Sequence, residues 1–243
     1  MRTLTESVEK RLGVARVINK AGHCSRSAAE ALVREHRVQV NHTIITDPEY
    51  PTKSSDIIII DGTILQTQTF VYLMLNKPRG LVTTANDEQG RDTVYQCLQG
   101  LGYPHLGPVG RLDKASEGLL LFTNDTLWAN GLLDPARKVS KTYHVQVDGV
   151  LTPAQLEQMK QGVLHQGTML QAQDAQILRL GERNSWLEIR LQEGKNREIR
   201  RMLEVFGFTT LRLLRVAIGS LVLGDLPKGA VRKLTEQEIR FSQ

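Results

Sequence analysis

The sequence predicts an α+β protein, in which a small helix-helix-hairpin module precedes a larger domain built on a mixed, largely antiparallel β-sheet with flanking helices. Three observations support this fold class. Apolar residues at helical spacing and short alternating runs occupy the first 65 residues, many strand-like runs and few helical ones follow residue 71, and strands do not alternate regularly with helices. A chain of 243 residues with 40% hydrophobic residues is long enough to fill the required cores.

The N-terminal module is predicted to contain two helices. Apolar residues at helical spacing indicate the first one, namely Val14, Val17, Ile18 and Ala21. Gly22 follows where that helix should end. Ser25 or Ser27 is suited to cap the second helix, and Ser27 with Glu30 has the spacing of a capping box.

Short strands follow these helices. "VQV" alternates as a strand does, Asn41 and His42 make a turn, and "IIT" and "DIIIIDG" offer further strand material. The module is therefore predicted over residues 1–65. Residues 66–70, "QTQTF", have no apolar periodicity and are predicted to be a linker to the larger domain, residues 71–243.

The larger domain is predicted to consist mainly of strands. "VYLMLNKPRG" is typical of a buried strand that runs into a Pro-Gly turn, and "KTYHVQVDG", "SWLEIRLQEG" and "LRLLRVAIGSLVLGDL" predict further strands. "TPAQLEQMKQGV" and "NREIRRMLEVFG" predict helices that end at glycine. Neither GxGxxG nor GxxxxGK[ST] occurs, which argues against nucleotide binding through those loops.

Charge and hydropathy indicate the class of partner. The formal net charge is +5, and between Lys10 and Arg37 seven basic residues face two acidic ones. A second basic concentration runs from Arg190 to Arg215. Such runs are often solvated helix faces, but they also fit an anionic partner such as RNA. No apolar run is long enough to span a membrane and the N-terminus lacks a signal-peptide core, so we expect a cytoplasmic protein with no membrane association.

The N-terminal module resembles the S4 RNA-binding module in its order of elements and in "AGHCSRSAAEALVREHRVQVN". His42 stands where that family often has glycine, and Ala28 replaces its usual acid. The resemblance implies an RNA-facing surface on the two helices. Its candidate phosphate contacts are Arg16, Lys20, Arg26, Arg34 and Arg37. Contacts of this kind position RNA without recognising its sequence.

The larger domain resembles the RsuA-like branch of the pseudouridine synthases. The resemblance rests on the order of "LNKPRG", "GRLDKASEGLLLFTND", "KTY" and "EGKNREIRRML". It implies that Asp113 is the catalytic aspartate, that Tyr143 lies against the target base and that Lys195 is the cation beside the aspartate. Arg111 would fill the position that the base vacates or contact phosphate. Further RNA contacts are expected from Lys77, Arg197 and Arg200.

The implied reaction explains these residue types. Uridine becomes pseudouridine when the base detaches at N1, turns and rejoins the sugar through C5, so no atom is gained or lost and we expect neither a metal nor another cofactor. The reaction needs an ionised carboxylate that acts as a nucleophile or as a base. An apolar wall such as "GLLLF" excludes water and disfavours that charge, whereas a nearby cation restores it.

The expected partner is ribosomal RNA or a pre-ribosomal particle, with a lean to the large subunit, and the protein is expected to be a monomer. Three alternatives stay open on the sequence alone. The chain could be an inactive ribosome-associated RNA-binding protein, a synthase that acts on small-subunit ribosomal RNA or transfer RNA, or a glycosidase that removes uracil.

Overall fold

The computed structural model describes residues 12–53, 55–65, 70–85, 87–103 and 105–241. These residues form two compact units. The first contains the N-terminal part through Val71 together with residues 103–107 and 124–126, and the second contains the rest. Most of the predicted linker, residues 66–69, lies outside the described residues. None of the helices in the described ranges is long and apolar enough to cross a membrane.

The first unit has two helices and six short strands within its described residues. They are β1 (Leu12–Gly13), α1 (Val14–Lys20), α2 (Arg26–Arg34), β2 (Val38–Val40), β3 (Thr43–Ile44), β4 (Pro51–Thr52), β5 (Ile58–Ile60) and β6 (Thr63–Ile64). The strands pair in the order β3-β2-β5-β6, and β1 pairs with β4. Both helices pack on the larger of these sheets through one core that includes Val14, Ile18, Ala29, Val33 and Val38.

Two local features of this unit concern the predicted cap and turn. Ser25 caps α2, because its hydroxyl accepts a hydrogen bond from the Ala28 amide at 3.2 Å. The predicted capping box of Ser27 and Glu30 is therefore wrong: Ser27 lies inside the helix, and Glu30 pairs with Arg26 at 3.1 Å instead. Asn41 and His42 both have positive φ, 50° and 66°, as the turn of a tight hairpin requires.

The second unit is dominated by one large sheet. Its strands are β7 (Tyr72–Lys77), β8 (Gly107–Val109), β9 (Glu117–Thr123), β10 (Lys141–Val147), β13 (Asp174–Leu180), β14 (Ser185–Leu191), β15 (Thr210–Ile218), β16 (Leu221–Val222) and β17 (Val231–Lys233). A separate hairpin is formed by β11 (Val163–His165) and β12 (Thr168–Leu170). The flanking helices are α3 (Thr126–Leu133), α4 (Pro153–Gln161), α5 (Glu198–Val205) and α6 (Glu236–Phe241).

The strand order in the large sheet is β13-β14-β10-β15-β9-β7-β17, with β16 paired to β15 and β8 to β9. Along this path only β9 and β15 run parallel among the described strands. The prediction of a mixed, largely antiparallel sheet is therefore confirmed. A Cβ on Gly118 would collide with the Arg215 carbonyl oxygen of β15, so glycine is required where these two strands meet.

Candidate active site

Asp113 lies in the loop between β8 and β9, at the wall of a cavity of about 400 Å³. Its side chain is exposed. Among the described residues, no cation forms an ion pair with its carboxylate. The loop thus presents a carboxylate to the cavity without a local partner.

Lys77 holds this loop from behind. Its side chain is 0% exposed. Its ammonium donates hydrogen bonds to the carbonyl oxygens of Ser116, Pro78 and Asp113, at 2.8, 3.1 and 3.2 Å. All three ammonium donors are therefore used on carbonyl groups around the Asp113 loop. The prediction that Lys77 contacts RNA is wrong, because a fully buried ammonium cannot reach a phosphate.

The pKa of Lys77 is lowered to about 8. Burial is the main cause, and the nearby charges of Asp113, Glu117 and Cys97 oppose it. With a pKa of about 8, Lys77 is still mainly protonated at pH 7. It therefore places a positive charge directly behind the Asp113 loop.

The turn that follows Lys77 also anchors the loop. The Thr83 hydroxyl donates to the Leu112 carbonyl at 2.8 Å and accepts from the Leu112 amide at 3.3 Å. The Gly80 amide donates to the Lys114 carbonyl at 2.8 Å. Residues 77–83 and 112–116, which are far apart in the sequence, are thus joined by hydrogen bonds to the main chain on both sides of Asp113.

Tyr143 lies on β10 and lines the same cavity as Asp113. Its side chain is largely enclosed, with 9% of the residue exposed. The structure therefore brings the predicted aromatic residue and the predicted aspartate together. An aromatic face at the wall of a cavity is what a base that has left its stack needs as a replacement for its neighbours.

Lys195 lines the cavity, but its ammonium is engaged elsewhere. It pairs with Glu193 at 2.9 Å and donates to the Met169 carbonyl at 3.2 Å. The predicted pairing of Lys195 with Asp113 is not present. Glu193, in the same exposed segment, pairs with the Lys195 ammonium instead. The sequence alone does not indicate which acid Lys195 pairs with.

Arg200 is a second cation, besides Lys77, within electrostatic reach of Asp113. It is half-buried on α5, and one terminal nitrogen, Nη1, donates to the Thr210 carbonyl at 3.2 Å. Its Nε is enclosed and has no hydrogen-bond partner among the described residues. Burial lowers the pKa of Arg200, as does Arg197, whereas the charge of Asp113 raises it. Arg200 was predicted to contact RNA, and with a half-buried side chain this stays a prediction.

Arg197 and Glu198 shape the segment before α5. Arg197 is exposed, lines the cavity and has a left-handed backbone, with φ of 50°. Glu198 is 3% exposed, and its carboxylate accepts the Lys195 amide at 3.0 Å. Burial raises the pKa of Glu198. Sequence reasoning missed Glu198, although an acid directly before an apolar helical stripe is a frequent capping signal.

Arg111 is exposed and lines two cavities. The second cavity, of about 440 Å³, lies between residues 82–91 and the Asp113 loop and also includes Asn196. Arg111 forms no ion pair with a described residue, so its guanidinium is available to an anion. Lys141 and Arg215, which sequence reasoning did not select, also line the Asp113 cavity.

The predicted RNA contacts of the first unit fall into two groups. Arg26, Arg34 and Arg37 pair with acids of the same unit, at 2.7 to 3.4 Å. Arg16 and Lys20 form no ion pair within the part of the chain that the structure describes. Arg16 is also exposed, whereas Lys20 is partly so.

Comparison with known proteins identifies two families that the chain matches. Residues 71–205 match the RNA pseudouridylate synthase family, and residues 13–58 match the S4 domain family. Ribosomal large subunit pseudouridine synthase B of Bacillus subtilis (strain 168) is 35% identical over 228 residues, which are 93% of each chain. The protein of the same name from Pasteurella multocida (strain Pm70) is 33% identical over 93% of this chain and 68% of its own.

A solved structure agrees with these matches. A crystal structure of a pseudouridylate synthase is 28% identical, superposes with a TM-score of 0.67 and matches over 96% of this chain and 100% of that one. With 35% identity to a named relative over almost the whole length, the chain belongs to the RNA pseudouridine synthases, the isomerases that convert uridine in RNA to pseudouridine, and it carries an S4 domain.

Proposed function

We propose that this protein converts a specific uridine of ribosomal RNA, in the large subunit, to pseudouridine, and that Asp113 performs the reaction. One observation carries the proposal: Asp113 and Tyr143 line a single cavity of about 400 Å³, a volume suited to a nucleotide. The names of the two relatives support the large subunit as the substrate.

In this mechanism the target uridine leaves its stack and enters the cavity, where the ring of Tyr143 replaces the lost base neighbours. The carboxylate of Asp113 then acts on the sugar, either as a nucleophile at C1′ or as the base that removes a sugar proton. Both routes require the ionised form. Burial lowers the pKa of Lys77 and of Arg200, whereas the charge of Asp113 raises it, so both cations stand within electrostatic reach of the carboxylate.

The remaining site residues have supporting roles in the proposal. Arg111, Arg197 and the exposed Lys195 bind phosphates next to the target nucleotide. The S4 residues hold more distant RNA, chiefly through Arg16 and Lys20, which pair with no acid in the part of the chain that the structure describes. The chain is divided into an S4 domain over residues 1–65, a linker over 66–70 and a synthase domain over 71–243. It works as a monomer in the cytoplasm on ribosomal RNA or a pre-ribosomal particle.

A tritium-release assay tests the proposal. Large-subunit ribosomal RNA that carries 5-tritiated uridine should release tritium on incubation with the purified protein, because C5 exchanges its hydrogen for the sugar. Chelator should not change the rate. Release of free uracil would indicate the glycosidase instead, and tight RNA binding without tritium release would indicate the inactive binding protein. Mapping pseudouridines in RNA from cells with and without the gene then identifies the nucleotide.

A further inference from the structure

Arg215 is a buried cation that the proposed mechanism leaves without a role. It lies on β15, is 5% exposed and lines the Asp113 cavity. Its Nε donates to the Leu119 carbonyl at 2.8 Å. Its Nη2 is enclosed and has no hydrogen-bond partner among the described residues. Enclosed charged donors are normally paired, so this one indicates a missing acceptor.

The neighbours of Arg215 point to the nature of that acceptor. Tyr143 lies opposite Arg215 in the β10–β15 pairing, and Lys141 precedes Tyr143 by two residues on the same face of β10. All three line the cavity. Lys141 forms no ion pair with a described residue, and its pKa is lowered first by burial and then by Arg215. Two cations therefore stand beside Tyr143, and neither pairs with an acid among the described residues.

The acids of the cavity do not neutralise this pair. Glu198 accepts a hydrogen bond from the Lys195 amide, and Asp113 pairs with none of the described cations. The other walls near Arg215 are apolar and include Leu213 and Ile218. A ligand that binds here must therefore bring acceptors or negative charge, together with a flat face for Tyr143.

We propose that Arg215, assisted by Lys141, binds the carbonyl edge of the target uracil and stabilises the negative charge that the base acquires when it leaves the sugar. This inference rests on the proposed function and adds to it the group that recognises the base. A guanidinium has donors only, and uracil presents the acceptors O2 and O4. Cytosine presents an amino donor at C4 in place of O4, so the same subsite disfavours cytidine.

The charge follows the course of the reaction. When the bond between C1′ and N1 breaks, its electron pair stays on the base, and the negative charge is shared by N1, O2 and O4. The charge is consumed when C5 bonds to C1′. C5 then loses its proton and N1 gains one, so that no oxidant or reductant takes part. Donors fixed in a water-poor cavity before the reaction stabilise such transient charge most effectively.

Substrates with different leaving bases test this role. Single-turnover rates are measured for wild type and Arg215→Met on one RNA that carries either uridine or 5-fluorouridine at the target, by following loss of the starting nucleotide. Fluorine withdraws electrons and makes the departing base easier to release as an anion. On uridine the variant should be slower than wild type by about 10²- to 10³-fold, as expected when one charge-stabilising donor is removed. On 5-fluorouridine this ratio of wild-type to variant rate should be at least tenfold smaller. RNA affinity should be unchanged.

Two further variants complete the test. Arg190→Met, on the opposite face of the same sheet, should match wild type on both substrates. If Arg215→Met does not fold, the same two substrates are compared with Lys141→Met, because Lys141 is only half-buried. The decrease in rate on uridine should then be smaller than that expected for Arg215→Met. Equal losses on uridine and 5-fluorouridine, or a wild-type rate, would overturn the inference. Absence of pseudouridine with the wild-type protein on any RNA would instead overturn the proposed function.

Discussion

The segment that carries Asp113 and the segment that carries Lys195 line the same cavity, but they are held in different ways. Residues 110–116 are fixed from behind by the buried Lys77 and by Thr83, and the Asp113 carboxylate forms no ion pair with a described residue. Residues 193–197 are exposed, and the Lys195 ammonium is neutralised by Glu193 within the segment. Asp113 and Lys195 are both exposed, but Asp113 lies on a segment held by buried hydrogen bonds and pairs with no described cation, whereas Lys195 is paired with Glu193.

This difference shows which cations can support the aspartate. Charges interact strongly where water is excluded, and weakly where solvent and salt screen them. Lys77 and Arg200 are buried or half-buried and interact with the charge of Asp113, whereas Lys195 is exposed. We therefore propose that the buried and half-buried cations support the aspartate and that the exposed ones bind RNA.

Replacement of Asp113 should have the largest effect. Asp113→Asn keeps the shape of the side chain but removes its charge, so single-turnover formation of pseudouridine should fall by at least about 10⁴-fold, as for other essential reacting groups. RNA affinity, measured by fluorescence anisotropy, should stay the same. Asp225→Asn, an exposed aspartate of the same unit, serves as the control. Retention of activity by Asp113→Asn would remove Asp113 from the chemistry.

Replacement of Lys77 should weaken the wall that carries Asp113. Lys77→Met leaves the carbonyl groups of Pro78, Asp113 and Ser116 without their donor, and unpaired buried groups cost about 1–3 kcal/mol of the free energy of unfolding. Turnover should fall about 10- to 100-fold, since a shift of about 1 Å in a reacting group has effects of that order. Denaturant unfolding and single-turnover rates measure the two effects. Lys114→Met, an exposed lysine of the same loop, should change neither.

The pH dependence of stability sharpens this prediction. The pKa of Lys77 is about 8 in the folded protein, below its ordinary value of 10.5, because burial disfavours the charge. Between these values the unfolded chain binds a proton that the folded protein has released, so the free energy of unfolding rises with pH. The difference between wild type and Lys77→Met should therefore grow in favour of wild type from pH 8 to pH 10. A constant difference would contradict the buried charge.

The smallest effects are expected in the S4 domain. Replacing Arg16 and Lys20 by methionine should lower the log-log salt slope of RNA binding by about 0.7 to 0.9 for each phosphate that the variant no longer binds. Replacing Arg34 and Arg37 should lower it less, because acids of the same domain already pair with both residues. Anisotropy titrations at several salt concentrations measure the slopes. A larger decrease for Arg34 and Arg37 would reverse the assignment.

The sequence is sufficient to predict the fold class, and it selects two residues, Asp113 and Tyr143, that the structure places at one cavity. Alternation and periodicity predict strands such as β10 and β14, because one face of each is buried. The α2 cap cannot be settled in this way, since either Ser25 or Ser27 satisfies the capping pattern and only the hydrogen bond to Ala28 decides between them. Asp113 and Tyr143 are identified through motif order, which specifies residues without their distances.

The sequence does not show which cations are buried, because the same lysine or arginine can occupy a buried or an exposed position. Lys77 is the last residue of an apolar strand, and its ammonium binds carbonyl groups that come together only in the folded chain. Arg215 alternates with apolar residues on β15, a pattern that equally fits a solvated charge on a half-buried strand. Burial, which separates these cases, depends on which strands become neighbours.

A direct comparison of Arg200→Met with Lys195→Met on one RNA tests the central claim, that buried cations support Asp113. The measurement is the single-turnover rate of pseudouridine formation at saturating enzyme, so that differences in RNA affinity do not enter. Arg200→Met should be slower than wild type by about 10²- to 10³-fold, the effect of losing one charge-stabilising group, and Lys195→Met should remain within about fivefold of wild type. A Lys195 variant that is as slow as the Arg200 variant, or slower, would contradict the account.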